Sequence, residues 1–294
     1  MKEHILNAVR GFMMGAANVV PGVSGGTIAL ITGIYGRIVG AINSVTEPQT
    51  WKDLLHGRFR EFWKETDGSF LLALGVGILL SILSLAKLMT YVLENHPVET
   101  WAFFFGLIIA SAVLMFRDIK GWGWKEILAA VLGCMLGAGI CLLTPAGTPD
   151  SLWFIFLCGA IAICTMILPG ISGSFILLIM GKYDYIMQAL NLSEPNIPVI
   201  LVFGAGCVTG LLAFAKFLHW VLGKWEKQTM IILLGFILGS LVKVWPWQVE
   251  VSRGIFRPDV PGAETGWAIL WCAAGLGLVL FMDRLGKKGS AQAS

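Results

Sequence analysis

Residues 70–86, 100–116 and 127–144 carry no charged side chain at all. As helix, at 1.5 Å per residue, each reaches roughly 26 Å, close to the ~30 Å hydrocarbon core of a bilayer. Backbone in lipid must satisfy its own hydrogen bonds, and an uncharged run of this length does so as a helix. The chain therefore reads as an all-α polytopic membrane protein. Composition agrees: 13% of residues are charged, where a soluble domain approaches a quarter, and the mean hydropathy is +0.79.

Several classes fall away at once. The net charge of +3 is small and dispersed, which leaves no footprint for nucleic acid. Cys134, Cys141, Cys158, Cys164, Cys207 and Cys272 all sit in apolar segments without zinc-site spacing, so they read as packing thiols. Lys2, Glu3 and Arg10 interrupt the N-terminal stretch, so no cleaved signal peptide is expected. The four histidines His4, His56, His96 and His219 form no set with nearby acids, so neither a metal site nor an enzyme is expected.

The chain repeats itself. Residues 21–43, PGVSGGTIALITGIYGRIVGAIN, match residues 169–191, PGISGSFILLIMGKYDYIMQALN, at twelve of twenty-three positions. With a second offset Gly75, Gly77, Ala86, Lys87, Thr100, Gly106 and Ser111 fall on Gly204, Gly206, Ala215, Lys216, Thr229, Gly235 and Ser240. Gly123-Trp124 then falls on Gly266-Trp267, each introducing a last apolar segment. The expected organisation is a first repeat over 1–144, a second over 152–283, and a small polar tail over 284–294 with too little apolar surface to order itself. Near 47–67 Trp51, Leu54, Leu55, Arg58 and Phe62 recur at helical spacing, which predicts an amphipathic helix lying in the interface, with a short soluble loop as the alternative.

Lys and Arg collect in cytoplasmic loops. Arg37, Lys52, Arg58, Arg60 and Lys64 follow the first motif, the loop at His96 has none, and Arg117, Lys120 and Lys125 mark the next. Lys224 and Lys227, then Arg284, Lys287 and Lys288, continue the alternation, with Arg253 and Arg257 against it. Both termini come out cytoplasmic. An odd number of spans separates the two motifs, so they are reached from opposite faces and the repeats are inverted. Residues 11–20 and 27–36 are ten residues each, ~15 Å of helix, half the core. Each repeat is therefore expected to be a re-entrant helical hairpin plus three transmembrane helices, with the depth of the second hairpin left open by its longer incoming arm.

Pro21 and Pro169 cannot continue a helix, and Gly22, Gly25, Gly170 and Gly173 permit a break. Ser24 or Thr27, and Ser172 or Ser174, are N-cap types for the outgoing arms, whose free N–H groups and dipole then face an anion. Broken helix ends at the interface of inverted repeats are how many secondary transporters hold their substrates. A proline kink with tight packing is the competing reading. Arg37 and Lys182, after the outgoing arms, are placed to meet an anionic headgroup, whereas Lys87 and Lys216 suit snorkelling and Tyr35 and Tyr183 interfacial anchoring. No cofactor is expected. Na⁺ or H⁺ coupling stays open: a carboxylate relay has no obvious members, and the carbonyls of Ala17, Asn18 and Val19 offer a sodium alternative.

GAANVVPGVSGGTIALITGIY, paired with TMILPGISGSFILLIMGKYDYI, resembles the PopT-type polyprenyl-phosphate translocases, once known only as a domain of unknown function. The resemblance covers essentially the whole chain. It implies undecaprenyl phosphate, the C55 lipid carrier of cell-wall synthesis, as the substrate, returned from the outer to the inner leaflet of the bacterial inner membrane for reuse. It maps the motif onto Pro21, Gly22, Ser24, Gly25, Gly26 and Thr27, then Pro169, Gly170, Ser172, Gly173 and Ser174, with Ser174 and Phe175 replacing Gly26 and Thr27 in the second copy. From the residues alone, an ion-coupled transporter of a small water-soluble anion is the alternative, and an oligomer stays open.

Overall fold

The computed structural model of the chain describes residues 2–19, 24–143, 147–190, 195–252 and 255–291. Helices dominate. In chain order they are α1 (Lys2–Val19), α2 (Gly25–Ile31), α3 (Tyr35–Ser44), α4 (Pro48–Leu55), α5 (Phe59–Glu65), α6 (Gly68–Asn95), α7 (Pro97–Asp118), α8 (Trp124–Cys141), α9 (Leu152–Ile167), α10 (Gly173–Ile179), α11 (Tyr183–Ala189) and α12 (Ile197–Ser240). An antiparallel hairpin, β1 (Gln248–Ser252) and β2 (Ile255–Pro258), then precedes α13 (Thr265–Ala291).

Among the described residues, α6, α7, α8 and α12 are long and apolar enough to cross a membrane. At 44 residues α12 would run ~66 Å, twice the core, and it breaks at Trp225, whose φ of −139° and ψ of 52° are not helical. The internal alignment equates Trp225 with His96, which separates α6 from α7 with φ −136° and ψ 56°. One residue explains why the first break divides two helices while the second is bridged. Pro97 follows His96 and cannot extend an incoming helix, whereas Glu226 follows Trp225. The sequence leads to an expectation of six spans; among the described residues four helices qualify by length and composition, one of them α12 with its break at Trp225, while the apolar part of α13, Thr265–Phe281, is shorter.

The chain forms two compact units. Unit 1 comprises Met1–Ala86 and Leu143–Thr229. Here α1 packs along the start of α6, with Gly11 against the Leu74 carbonyl and Gly77 against that of Ala8. The aligned positions repeat the contacts between α9 and the start of α12, with Gly159 against Phe203 and Gly206 against Phe156. A Cβ at any of the four would overlap backbone, the reason small residues are selected where membrane helices touch.

Unit 2 comprises Lys87–Leu142 and Met230–Ser294. In it α7 packs on α13 through Gly106 against Cys272 and Gly275 against Phe103, and α8 packs on the end of α12 through Gly235 against Ala130 and Gly133 against Ile232. Each pair joins a helix of the first repeat to one of the second.

Three features differ from the sequence expectation. The amphipathic stretch near 47–67 is two short helices, because Gly57 takes φ +74° and closes α4 with the Gly57 N–H on the Leu54 carbonyl and the Arg58 N–H on that of Asp53. Leu55 and Phe59 project outward, 82% and 68% exposed, as an interfacial face would. The β1–β2 hairpin is a small departure from an all-α chain. Helix α13 also continues through the stretch from 284 expected as a tail, extension of a formed helix being cheaper than nucleation.

Candidate functional site

Both motifs lie in unit 1. Pro21 and Gly22 fall outside the described residues; from Ser24 onward the first motif is buried. Ser24 is extended (φ −116°, ψ 146°) and stands at the N-cap of α2, but its side chain does not cap that helix. Its hydroxyl donates instead to the Leu168 carbonyl in the second motif, at 2.9 Å. The cap is supplied from α1, where Asn18 Oδ1 accepts the Gly25 N–H at 2.7 Å.

The second motif answers the first. Helix α9 ends at Ile167, because Pro169 lacks an N–H and holds Leu168 in extended backbone (φ −65°, ψ 131°). That end leaves carbonyls without intrahelical donors, and Ser24 takes one of them. Gly26 packs against the Ile167 carbonyl, leaving no room for a side chain. In return the N–H of Gly170, which has φ +89°, donates to Thr27 Oγ1 at 2.9 Å. The two motifs are thus linked by a reciprocal pair of hydrogen bonds between residues 1% exposed (Ser24, Thr27) and a buried turn around Pro169 and Gly170.

Their capping differs. Ser172 Oγ accepts the Phe175 N–H at 3.3 Å and lies 3.1 Å from Ser174 Oγ. Ser174 is exposed, while Gly173 is buried with Ala162 and Met166 closest to it. Both outgoing arms are seven residues long and end alike. Gly33 (φ +70°) and Gly181 (φ +64°) close them, with the Ile34 N–H on the Ala29 carbonyl and the Lys182 N–H on that of Leu177. The arm expected to run unbroken to Gly36 therefore stops at Ile31, and α3 begins at Tyr35.

The two cations are engaged internally. Arg37 contacts Asp67 Oδ2 through Nε at 2.5 Å and Asp67 Oδ1 through Nη2 at 3.1 Å, reaches Glu3 Oε1 at 2.8 Å, and lies 4.2 Å from the Phe70 ring centroid. The hydrogen bond from Arg37 holds the Glu3 carboxyl below its ordinary range, and the bonds to Asp67 and Glu3 hold the guanidinium more firmly protonated. Lys182 is 4% exposed, and its Nζ binds Asp150 Oδ1 at 2.5 Å and the Thr148 carbonyl at 2.8 Å, pinning the stretch before α9 to the α10–α11 turn.

Residues 14–255 match the family VCA0040-like, described as undecaprenyl phosphate translocase-like. The chain belongs to this family. Among curated proteins it is 42% identical over 253 residues to a polyprenyl-phosphate transporter of Vibrio cholerae, covering 85% of this chain and 80% of that protein. It is 32% identical over 260 residues to a polyprenyl-phosphate transporter of Staphylococcus aureus, covering 82% and 86%. No solved structure matches the chain.

In this family member the candidate residues separate into two groups. The motif residues form one, with Ser24, Gly26, Thr27 and Gly170 making the contacts between the motifs and Gly25, Ser172 and Gly173 packed on their own arms, whereas Arg37 and Lys182 are each held in ion pairs. Sequence reasoning missed Asn18 as a capping side chain and Asp67 and Asp150 as partners. The available signal for Asn18 was an amide inside an otherwise apolar arm, at a position occupied by Met166 in the second repeat. Chemically, the Ser24 hydroxyl and the Gly25 and Gly170 N–H groups are donors of the kind an oxyanion takes, each set 2.7–2.9 Å from an internal acceptor.

Proposed function

We propose that the chain flips undecaprenyl phosphate from the outer to the inner leaflet of the bacterial plasma membrane, returning the carrier for another round of cell-wall synthesis, and performs no covalent chemistry on it. The observation that carries this reading is the reciprocal bond pair between the motifs, Ser24 to Leu168 and Gly170 to Thr27, in a member of a translocase-like family. A substrate phosphate would exchange those internal acceptors for its own oxygens, so the same donors serve the empty and the loaded site.

The two repeats are inverted in this reading, and each motif enters from its own face and stops near the midplane. Parity supports it, since α6, α7 and α8 lie between the motifs. Length supports it too: α2 and α10, seven residues each, are ~10 Å long, a third of the core. The bound groups are those of Pro21, Gly22, Ser24, Gly25, Gly26 and Thr27 and of Pro169, Gly170, Ser172, Gly173 and Ser174. Arg37 and Lys182 serve as gates on the two faces, releasing their carboxylates as the headgroup passes. Both termini are cytoplasmic in this reading.

Proteoliposome translocation of labelled undecaprenyl phosphate tests the proposal, comparing wild type with Ser24→Ala and Thr27→Val. Transport well above protein-free vesicles, lost in both variants, is expected. Equal rates with and without protein would sink the flippase reading. Inhibition by water-soluble phosphate, with uptake of that anion, would replace it with the soluble-anion transporter.

A further inference from the structure

A second cavity chemistry lies in unit 2, apart from the motif residues. Around the first turns of α7 and α13 is a cavity of about 550 Å³, a size that accepts a ligand fragment. Phe103, Phe104, Trp267 and Trp271 line it with aromatic rings, and its ionisable lining groups are His96 and Glu99. The Thr100 hydroxyl is committed to the His96 carbonyl at 2.7 Å. His96 Nδ1 and Glu99 Oε1 stand 3.8 Å apart, one imidazole beside one carboxylate.

That charge balance decides which part of an amphipathic phosphate lipid fits. With no excess positive charge the cavity offers a phosphate no attraction, whereas its ring faces suit an apolar chain bearing many polarised C–H bonds. Trp267 and Trp271 remain 62% and 42% exposed, so protein does not cover the rings. Trp267 has a counterpart in Trp124, but the two phenylalanine rings have none: the alignment places Ile232 and Leu233 at the positions of Phe103 and Phe104. One repeat is specialised here.

We infer that this cavity holds an isoprenoid segment of the polyprenyl chain, with the phosphate outside it; the inference rests on the lipid-phosphate substrate proposed above. A prenyl chain carries a methyl branch and a double bond in every unit, which present allylic C–H groups to the ring faces, features a saturated acyl chain lacks.

The test uses the full chain in nanodiscs, with a polyprenyl phosphate bearing a photoactivatable diazirine at the end of its chain as the probe. After irradiation, adducts are expected within 92–104 and 267–271, reduced about tenfold by excess undecaprenyl phosphate and not by the same excess of phosphatidylglycerol. Val92→Trp, which fills the cavity, should lower the adduct yield by about the same factor. Phe104→Leu, which installs the residue type of the other repeat without adding bulk, keeps the test alive if Val92→Trp misfolds; it should narrow the preference for the prenyl competitor. Adducts elsewhere, equal competition by phosphatidylglycerol, or a preference unchanged in Phe104→Leu would overturn the inference. Wild-type translocation measured alongside separates the two readings, since transport with adducts elsewhere removes only the cavity, and absence of transport removes the flippase.

Discussion

Thr27 accepts the N–H of Gly170 at 2.9 Å, across 143 residues of sequence, and both groups are buried. Thr27→Val keeps the shape and removes the acceptor, leaving a buried N–H without a partner at a cost of about 1–3 kcal/mol. A lower melting temperature in detergent is expected for Thr27→Val, with near-complete recovery in Thr27→Ser. Equal melting of Val and Ser variants would show that the bond contributes nothing.

Glycines two residues apart on α6 have opposite roles, and the second repeat copies them. Gly75 and Gly204 have nothing within contact of a Cβ, whereas Gly77 and Gly206 abut the carbonyls of Ala8 and Phe156. Alanine at 75 or 204 should therefore stabilise by roughly 0.5–1 kcal/mol through helix propensity. At 77 or 206 it should destabilise by about 1–3 kcal/mol through overpacking. The same sign at all four sites in a thermal-shift assay would contradict the packing described.

Because Trp225 already has the backbone angles that His96 has before Pro97, Glu226→Pro should be tolerated, its melting temperature staying near that of wild type. Leu222→Pro, one turn earlier in continuous helix, should cost about 3 kcal/mol or more. If both prolines were equally damaging, the break at Trp225 would not be a true helix end.

The Arg37 hydrogen bond lowers the Glu3 carboxyl below its ordinary value of 4.5. A depressed folded-state value means the pair contributes stability above the unfolded value and loses it as pH falls through the lowered one. The difference in melting temperature between wild type and Glu3→Gln should thus be constant from neutral pH to about 5 and shrink below the ordinary carboxylate range. A difference that grew on acidification would have the wrong sign for this pair.

Much of the fold was legible because its determinants are local. Uncharged runs the length of a bilayer mark α6, α7 and α8, and Pro169 marks where α9 cannot continue. Identity between the motifs pointed to the pair that the structure brings together. What stayed hidden depends on distance in sequence. Nothing near Ser24 indicates that its hydroxyl will leave its own helix for Leu168, nor does Lys182 reveal Asp150, since both partners arrive through packing. Gly57 was visible, but whether a glycine ends a helix or merely sits in one is decided by the turn around it. The β1–β2 strands are too short to stand out between long apolar segments.

The crossed pairing in unit 2 has a consequence for how the protein is made. α7 emerges from the ribosome long before α13, and α8 before the end of α12, yet these are the partners whose glycines interlock. The interlocking partners of α7 and α8 are therefore synthesised after them. Unit 2 draws on both Lys87–Leu142 and Met230–Ser294, so neither half of a chain divided between them holds all of it.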